Sequence, residues 1–316
     1  MMIQLLRRAR GGLLVCFFAF AATSAVACDI CGCGAGNFFL GSQPMVQRHF
    51  VGVSMRSMRF RSWYDRQDGR LHSMEHFRTV ELQARWLPHR RWQIQARLPI
   101  GFNRQLMDGQ VKTLQGMGDA ALLVQYNLLD KLGLLADQQQ LVQQQWWAGA
   151  GVKLPTGRYD YTADPTEVAN PNFQLGSGST DALISTQYSI RINRVGLMAD
   201  ALWRLNGRNA NDYQFGHRWQ TNLLLYTVQK WKKTGVQAYA GMGVDWMKAD
   251  NSRGLKNEYT GGYVVAAQAG IDVYVGNCWL GGLVRLPVRQ QQGGGVLDQQ
   301  INASLHMNVL LGTSRQ

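Results

Sequence analysis

The sequence predicts an all-β fold, a transmembrane antiparallel up-and-down β-barrel of about twelve strands, and three observations carry that prediction. Apolar and polar residues alternate in runs of about ten, the length that crosses a bilayer when tilted. The connections between runs alternate between long and short. Of 316 residues, 35 are Gly and only 7 Pro, with 17% charged, which suits many strands and tight turns better than helices.

The stretch 181–205, DALISTQYSIRINRVGLMADALWRL, shows the repeating unit. Ala182, Ile184, Thr186, Tyr188, Ile190 and Ile192 share one face of its first run, and Asp181, Ser185, Gln187, Ser189 and Arg191 lie on the other. The second run puts Val195, Leu197, Ala199, Ala201, Trp203 and Leu205 opposite Asp200, Arg204 and Asn206. Period two with unlike faces marks a strand between two environments.

Residues 1–27 read as a signal peptide. Arg7, Arg8 and Arg10 precede the apolar run 13–22, and Ala25, Val26 and Ala27 supply the small residues that signal peptidase needs. The apolar run is too short to span a membrane as a helix. The formal charge of +13 includes those three arginines, so the mature chain carries about +10. Its basic residues are spread along alternating strands, with no run beyond 230–233, which argues against nucleic acid as a partner.

Residues 28–46 form a periplasmic N-terminal segment that begins CDICGC, with Cys28, Cys31 and Cys33 within six positions. Three chemistries suit this spacing. Thiolates at C-x-x-C-x-C can converge on a soft ion, copper or zinc, which would imply a periplasmic metal-handling partner. A disulfide or redox pair in an oxidising compartment is the second, with distant Cys278 as an unsupported partner for the odd thiol. Lipid attachment to Cys28 is the third.

Residues 47–316 form the barrel. Strands are predicted at 48–61, 74–87, 91–102, 118–129, 141–154, 180–192, 195–206, 217–229, 235–248, 260–275, 278–290 and 299–311. Their apolar faces include Val80, Leu82, Ala84 and Trp86, and at the end Ile301, Ala303, Leu305, Met307, Val309 and Leu311. A soluble sandwich also alternates, so the connections decide. Those at 62–73, 103–117, 155–179, 207–216 and 249–259 are long, and those at 88–90, 193–194, 230–234 and 276–277 short. Residues 130–140 break the order, since that connection should be short. Short turns at one end and long loops at the other is the outer-membrane arrangement, which makes outer-membrane lipid the expected surroundings. Trp86, Trp92, Trp203, Trp219, Trp246 and Trp279 fall near strand ends, where aromatic girdles belong.

Parity places Arg56, Arg85, Arg97, Arg191, Arg204, Arg285 and Arg289 in the lumen with Glu81, Asp119, Asp200, Asp245 and Asp272. This set admits two readings. In one, the excess of Arg lines a pore for anionic or polar aromatic solutes. In the other, opposite charges pair and fill a narrow interior, because about twelve strands lie between filled and open barrels.

The motifs GMGD (116–119) followed by AALLVQYNLL, AGVKLPTG ending at Gly157, and GSGSTD ending at Asp181 resemble the outer-membrane transporter family associated with the meta pathway of phenol degradation. The resemblance spans most of the mature chain and implies a β-barrel with a transport role and no established reaction. The CDICGC leader resembles a subset of barrel proteins rather than the family at large. The chain departs from barrel proteins generally in ending at Gln316 instead of an aromatic residue.

Gly116, Gly118, Gly176 and Gly178 do not form a phosphate loop, because each precedes an alternating strand rather than a helix. They are expected to turn the chain into its strands, with Asp119 or Asp181 at the bend. The function expected is passage of a small solute, with soft-metal binding at the leader. A metal-binding or structural barrel without an open pore is the alternative. An enzyme is not expected, since Ser304 with His306 is the only local nucleophile and base pair.

Overall fold

The computed structural model describes residues 47–66, 69–107, 109–135, 140–159, 173–232 and 234–312. In order, the strands are β1 (His49–Arg66), β2 (Gly69–His89), β3 (Trp92–Met107), β4 (Gln110–Met117), β5 (Ala121–Leu135), β6 (Gln140–Lys153), β7 (Asp181–Ile192), β8 (Val195–Leu205), β9 (Tyr213–Gln214), β10 (Arg218–Trp231), β11 (Thr234–Met247), β12 (Asn251–Ser252), β13 (Leu255–Lys256), β14 (Gly262–Val275), β15 (Cys278–Gln292), β16 (Leu297–Gln299) and β17 (Asn302–Leu311). Each long strand pairs antiparallel with its neighbours in sequence, and the sheet closes where β1 meets β17, from His49↔Leu311 to Ser57↔Ala303. The result is a closed barrel of 12 staves. Two staves are composite. The lower part of β3 pairs with β5 and its upper part with β4, and β1 pairs with both β17 and β16. The short β9, β12 and β13 form a separate three-stranded sheet over the loop end.

Alternation extends some strands further than expected. The connections at 62–73 and 103–117 are mostly paired hairpin, with Arg66↔Gly69 and Met107↔Gln110 as their last rungs. Likewise, 130–140 is neither a short turn nor a free loop, because β5 and β6 stay paired to Leu135↔Gln140. In all three the antiparallel ladder continues beyond the strand ends expected from the sequence.

The outward face is aliphatic, with Val53, Leu82, Leu197, Leu225, Val284 and Leu305 all exposed. Trp203, Trp219, Trp246 and Tyr263 sit side by side on four adjacent strands, and Trp203 stacks on Trp219 at 6.3 Å. Trp86, Trp92 with Tyr126, and Trp231 mark the turn end. At ~3.3 Å per residue and a tilt of ~45°, the stretch of β10 between Trp219 and Trp231 spans a membrane thickness of roughly 28 Å. Trp279 is a correction to the girdle. It is 3% exposed and points inward, packing on Phe50 at 5.4 Å and Tyr274 at 5.6 Å.

The inward face is mixed rather than uniformly polar. Leu123, Leu183, Met198 and Leu224 are buried there beside Gln125, Gln237 and Asn308. Glycines on the inner face make room for side chains that reach across. A Cβ on Gly281 would overlap Asp272 Oδ1 and lie 2.5 Å from the His306 ring, and one on Gly243 would lie 2.7 Å from the Arg285 guanidinium.

Arg289 is also corrected. The ladder between β14 and β15 steps from Ala266↔Pro287 to Val265↔Arg289, so Val288 is an extra residue in β15. That bulge reverses the parity of the residues beyond it. Arg289 lies beside outward Val265 and is exposed.

Overpacking at an inner glycine should therefore be costly. Gly281→Val is expected to destabilise the barrel by about 1–3 kcal/mol or more, whereas Gly133→Ala, which would meet nothing within 4 Å, should be neutral. Urea titration monitored by the heat-dependent gel mobility of the folded barrel measures both.

Candidate functional site

The three glycine-bearing motifs are one structure. Lys153 ends β6, and the register sets it directly between Ala121 of β5 and Asp181 of β7. Its Nζ is 2.6 Å from Asp119 Oδ2 and 2.9 Å from Asp181 Oδ2, and it donates to the Ser179 carbonyl at 3.1 Å. The three side chains are at most 6% exposed. Each carboxylate is completed by other donors. Asp119 accepts from the Gly157 and Ser177 backbone N–H groups at 3.0 and 2.8 Å. Asp181 accepts from Ser179 Oγ at 2.8 Å and the Gly207 N–H at 3.0 Å. A buried ion is tolerated only when paired and hydrogen-bonded in this way.

The glycines serve close approach as much as turning. Gly116 and Gly178 have φ of 149° and 67°. Gly157 instead packs backbone to backbone, since a Cβ there would lie 2.8 Å from both the Gly118 carbonyl carbon and the Gly176 Cα.

This cluster anchors a segment that dips into the barrel mouth. Phe173, Gln174, Leu175 and Ser177 are all buried. Phe173 packs at 6.0 Å from Phe77, in a cluster with Met58, Phe60 and Leu297. Leu175 lies against Gly101, Gly116 and Gly118. Beneath it is a cavity of about 50 Å³ bordered by Glu81, Arg97, Asn103, Gln174 and Arg204, room for a water or two.

Most of the lumenal candidates find a charged or amide neighbour. Arg97 pairs with Glu81 at 3.1 Å and Arg285 with Asp245 at 3.0 Å. Arg85 is buried near the turn end, its guanidinium 4.8 Å from the Phe50 ring centre. Arg191 donates to Gln143 at 2.6 Å. Asp200 accepts from Asn222 at 2.9 Å, and Arg204 is buried beside the cavity. Asp272 is fully buried and 3.3 Å from His306 Nε2. His306 is thus coupled to Asp272 across Gly281, while Ser304 faces Arg56 on β1. Arg56 is half-buried. Cys28, Cys31 and Cys33 lie outside the described residues, and among those described no group of three His, Cys, Asp or Glu is arranged for a metal.

Local motifs do not single out Lys153 and Asp181 as a pair. The signal is nonetheless present in the chain: Asp119, Lys153 and Asp181 each stand at the same end of successive strands, and inward parity unites them.

The family described as "Putative MetA-pathway of phenol degradation" matches residues 74–279. The chain is similar in fold to an outer membrane channel from Pseudomonas putida F1, at 12% identity and TM-score 0.55, covering 84% of this chain and 96% of that one. It is also similar to the β domain of the Bordetella autotransporter BrkA, at 11% identity and TM-score 0.47, covering 84% and 100%. No curated protein matches in sequence. Fold and lipid-facing band together place the barrel in the outer membrane.

Removing the cation while leaving both carboxylates should unseat the inward segment. Lys153→Met is expected to cost about 3–5 kcal/mol, read as a lower urea midpoint, and to open the Phe173–Ser179 region to proteolysis under native conditions.

Proposed function

We propose that this chain, which belongs to the family described as "Putative MetA-pathway of phenol degradation", passes a small polar solute across the outer membrane along one wall of its interior. A single observation carries the reading. Most inward side chains are buried, but Ser54, Arg56, Gln83, Ser304 and His306 are only half-buried. They lie together, because Ser54 faces His306, Arg56 faces Ser304 and Gly52 faces Gln83 across the ladders of β17, β1 and β2. Polar, adjacent and incompletely covered, they line a narrow path. The opposite wall, with Leu123, Leu183 and Met198, is packed shut. The inward segment anchored on Lys153 narrows this path at the loop end.

The paired charges alter the expected selectivity. Arg97 and Arg285 are paired with Glu81 and Asp245, and His306 with Asp272, so the half-buried wall favours a small polar solute and no general excess of Arg sets an anion preference. The Pseudomonas protein is described as an outer membrane channel, which supports passage, rather than a reaction, as the role.

A second element is a soft-metal site, copper or zinc, at Cys28, Cys31 and Cys33, supported by the thiolate spacing alone. Copper(I) titration of the mature protein should show stoichiometric binding that Cys31→Ser with Cys33→Ser abolishes; equal binding by both removes the site.

For the passage itself, planar bilayers should show small conductance steps with the wild type. Ser304→Trp is expected to reduce them, and the lipid-facing Leu225→Trp to leave them unchanged. Steps of equal size in Ser304→Trp would move the path elsewhere, and a silent wild type would remove it.

A further inference from the structure

We propose that the outer wall of β1, β2 and β3 at the loop end binds the phosphate groups of a phosphorylated glycolipid of the lipid A type in the outer leaflet, through Arg59, Arg78 and Arg104 around His76. All four project from the lipid side of the sheet. In β1 the residues flanking Arg59, Met58 and Phe60, are buried inside, and the same alternation turns His76, Arg78 and Arg104 outward. The ladder brings them together, because Arg59 stands opposite His76 and His76 opposite Arg104. Arg78 Nε is 3.4 Å from His76 Nε2, and all three guanidinium groups lie within electrostatic reach of the ring. Ser57 Oγ hydrogen bonds His76 at 2.8 Å and fixes the ring in place.

Among the described side chains the patch has no internal counter-charge. The outward positions of the three strands carry no Asp or Glu among the described side chains. Asp298 stands opposite Arg61 at the edge of the patch and accepts from Gln290 at 3.2 Å. Clustered cations repel one another, and an external anion relieves that repulsion. Guanidinium suits phosphate because it can donate two parallel hydrogen bonds.

Its height selects the ligand. Arg104 stands as many residues after Trp92 as Trp231 does after Trp219, so it is level with the loop-end girdle. Below it the wall is aliphatic, with Val80, Leu82, Leu98 and Ile100. Exposed Phe102, beside Arg78 and one step below Arg104, gives acyl chains a surface beneath the charge, and exposed Met74 flanks the cations on the loop side. The long loops of outer-membrane barrels are extracellular, which puts the patch in the leaflet that holds phosphorylated glycolipid. The sheet separates it from the lumen, so it does not serve the solute path.

Native mass spectrometry of the detergent-solubilised full chain tests this, with bis-phosphorylated lipid A as the probe. The wild type should retain a 1:1 adduct, and Arg59→Gln/Arg78→Gln/Arg104→Gln should weaken it at least about tenfold. Arg208→Gln, in an exposed loop, should have no effect. Heat-dependent gel mobility establishes that each variant is folded. Equal retention by the triple variant, or of dephosphorylated lipid A by the wild type, would overturn the proposal. Displacement by millimolar inorganic phosphate would assign the site to a free anion instead, and equal competition by phosphatidylglycerol would reduce it to general attraction for anionic lipid; either result overturns the glycolipid site.

Discussion

The constraint on which this structure depends is that hydrocarbon offers nothing to a backbone N–H or C=O. Every such group within the membrane must find a partner in the protein, so a sheet in lipid must have no edge. The nine rungs from His49↔Leu311 to Ser57↔Ala303 meet that demand where β1 meets β17. Once closed, the sheet has one side in lipid and one side enclosed, and alternation along each strand becomes obligatory. The exposed Val, Leu and Trp of the outer face and the buried Gln, Asn and Arg of the inner face both result from this.

Closure at this size leaves an interior too narrow to be ignored and too wide to be filled by one layer of side chains. The protein resolves this with unlike solutions at different heights. Aromatic residues Phe50, Tyr274 and Trp279 pack together at the turn end and narrow it. Paired charges and amides occupy the middle, where Asn222 links Asp200 to Gln268. At the loop end the chain itself folds inward, and Lys153 supplies the positive charge that lets Asp119 and Asp181 be buried together. Inner glycines make these arrangements possible by giving up volume where a long side chain must cross.

Period two is legible in the sequence because the two environments differ sharply, and β7 and β8 alternate in burial along almost their whole length. The features that are not legible share a cause: each depends on something other than alternation. The long hairpins beyond residues 61 and 103 continue the ladder, so on these strands the end of the apolar band is not the end of the strand. Arg289 depends on one bulged residue, Val288, which period two does not announce. Trp279 resembles a girdle residue because of its position near a turn, yet its parity is inward and its neighbours Phe50 and Tyr274 receive it. The cluster around Lys153 requires register between strands separated by the 154–180 connection, which no local motif encodes. Its residues are visible individually, as Gly-Asp, Lys-Leu-Pro and Ser-Thr-Asp, but not as neighbours.

The junction of β1 with β17 differs from the other barrel pairings in the span of chain it bridges. Hairpin partners can zip locally as each strand is made, since their loops are short or of modest length. The seam cannot, because its two sides are almost the full barrel apart in sequence, and the entropy of bringing them together must be overcome before any of its rungs form. Assembly therefore has a necessary last event. Until it happens the first and last strands present raw edges, so an incomplete barrel is both unfit for lipid and prone to pair with other chains.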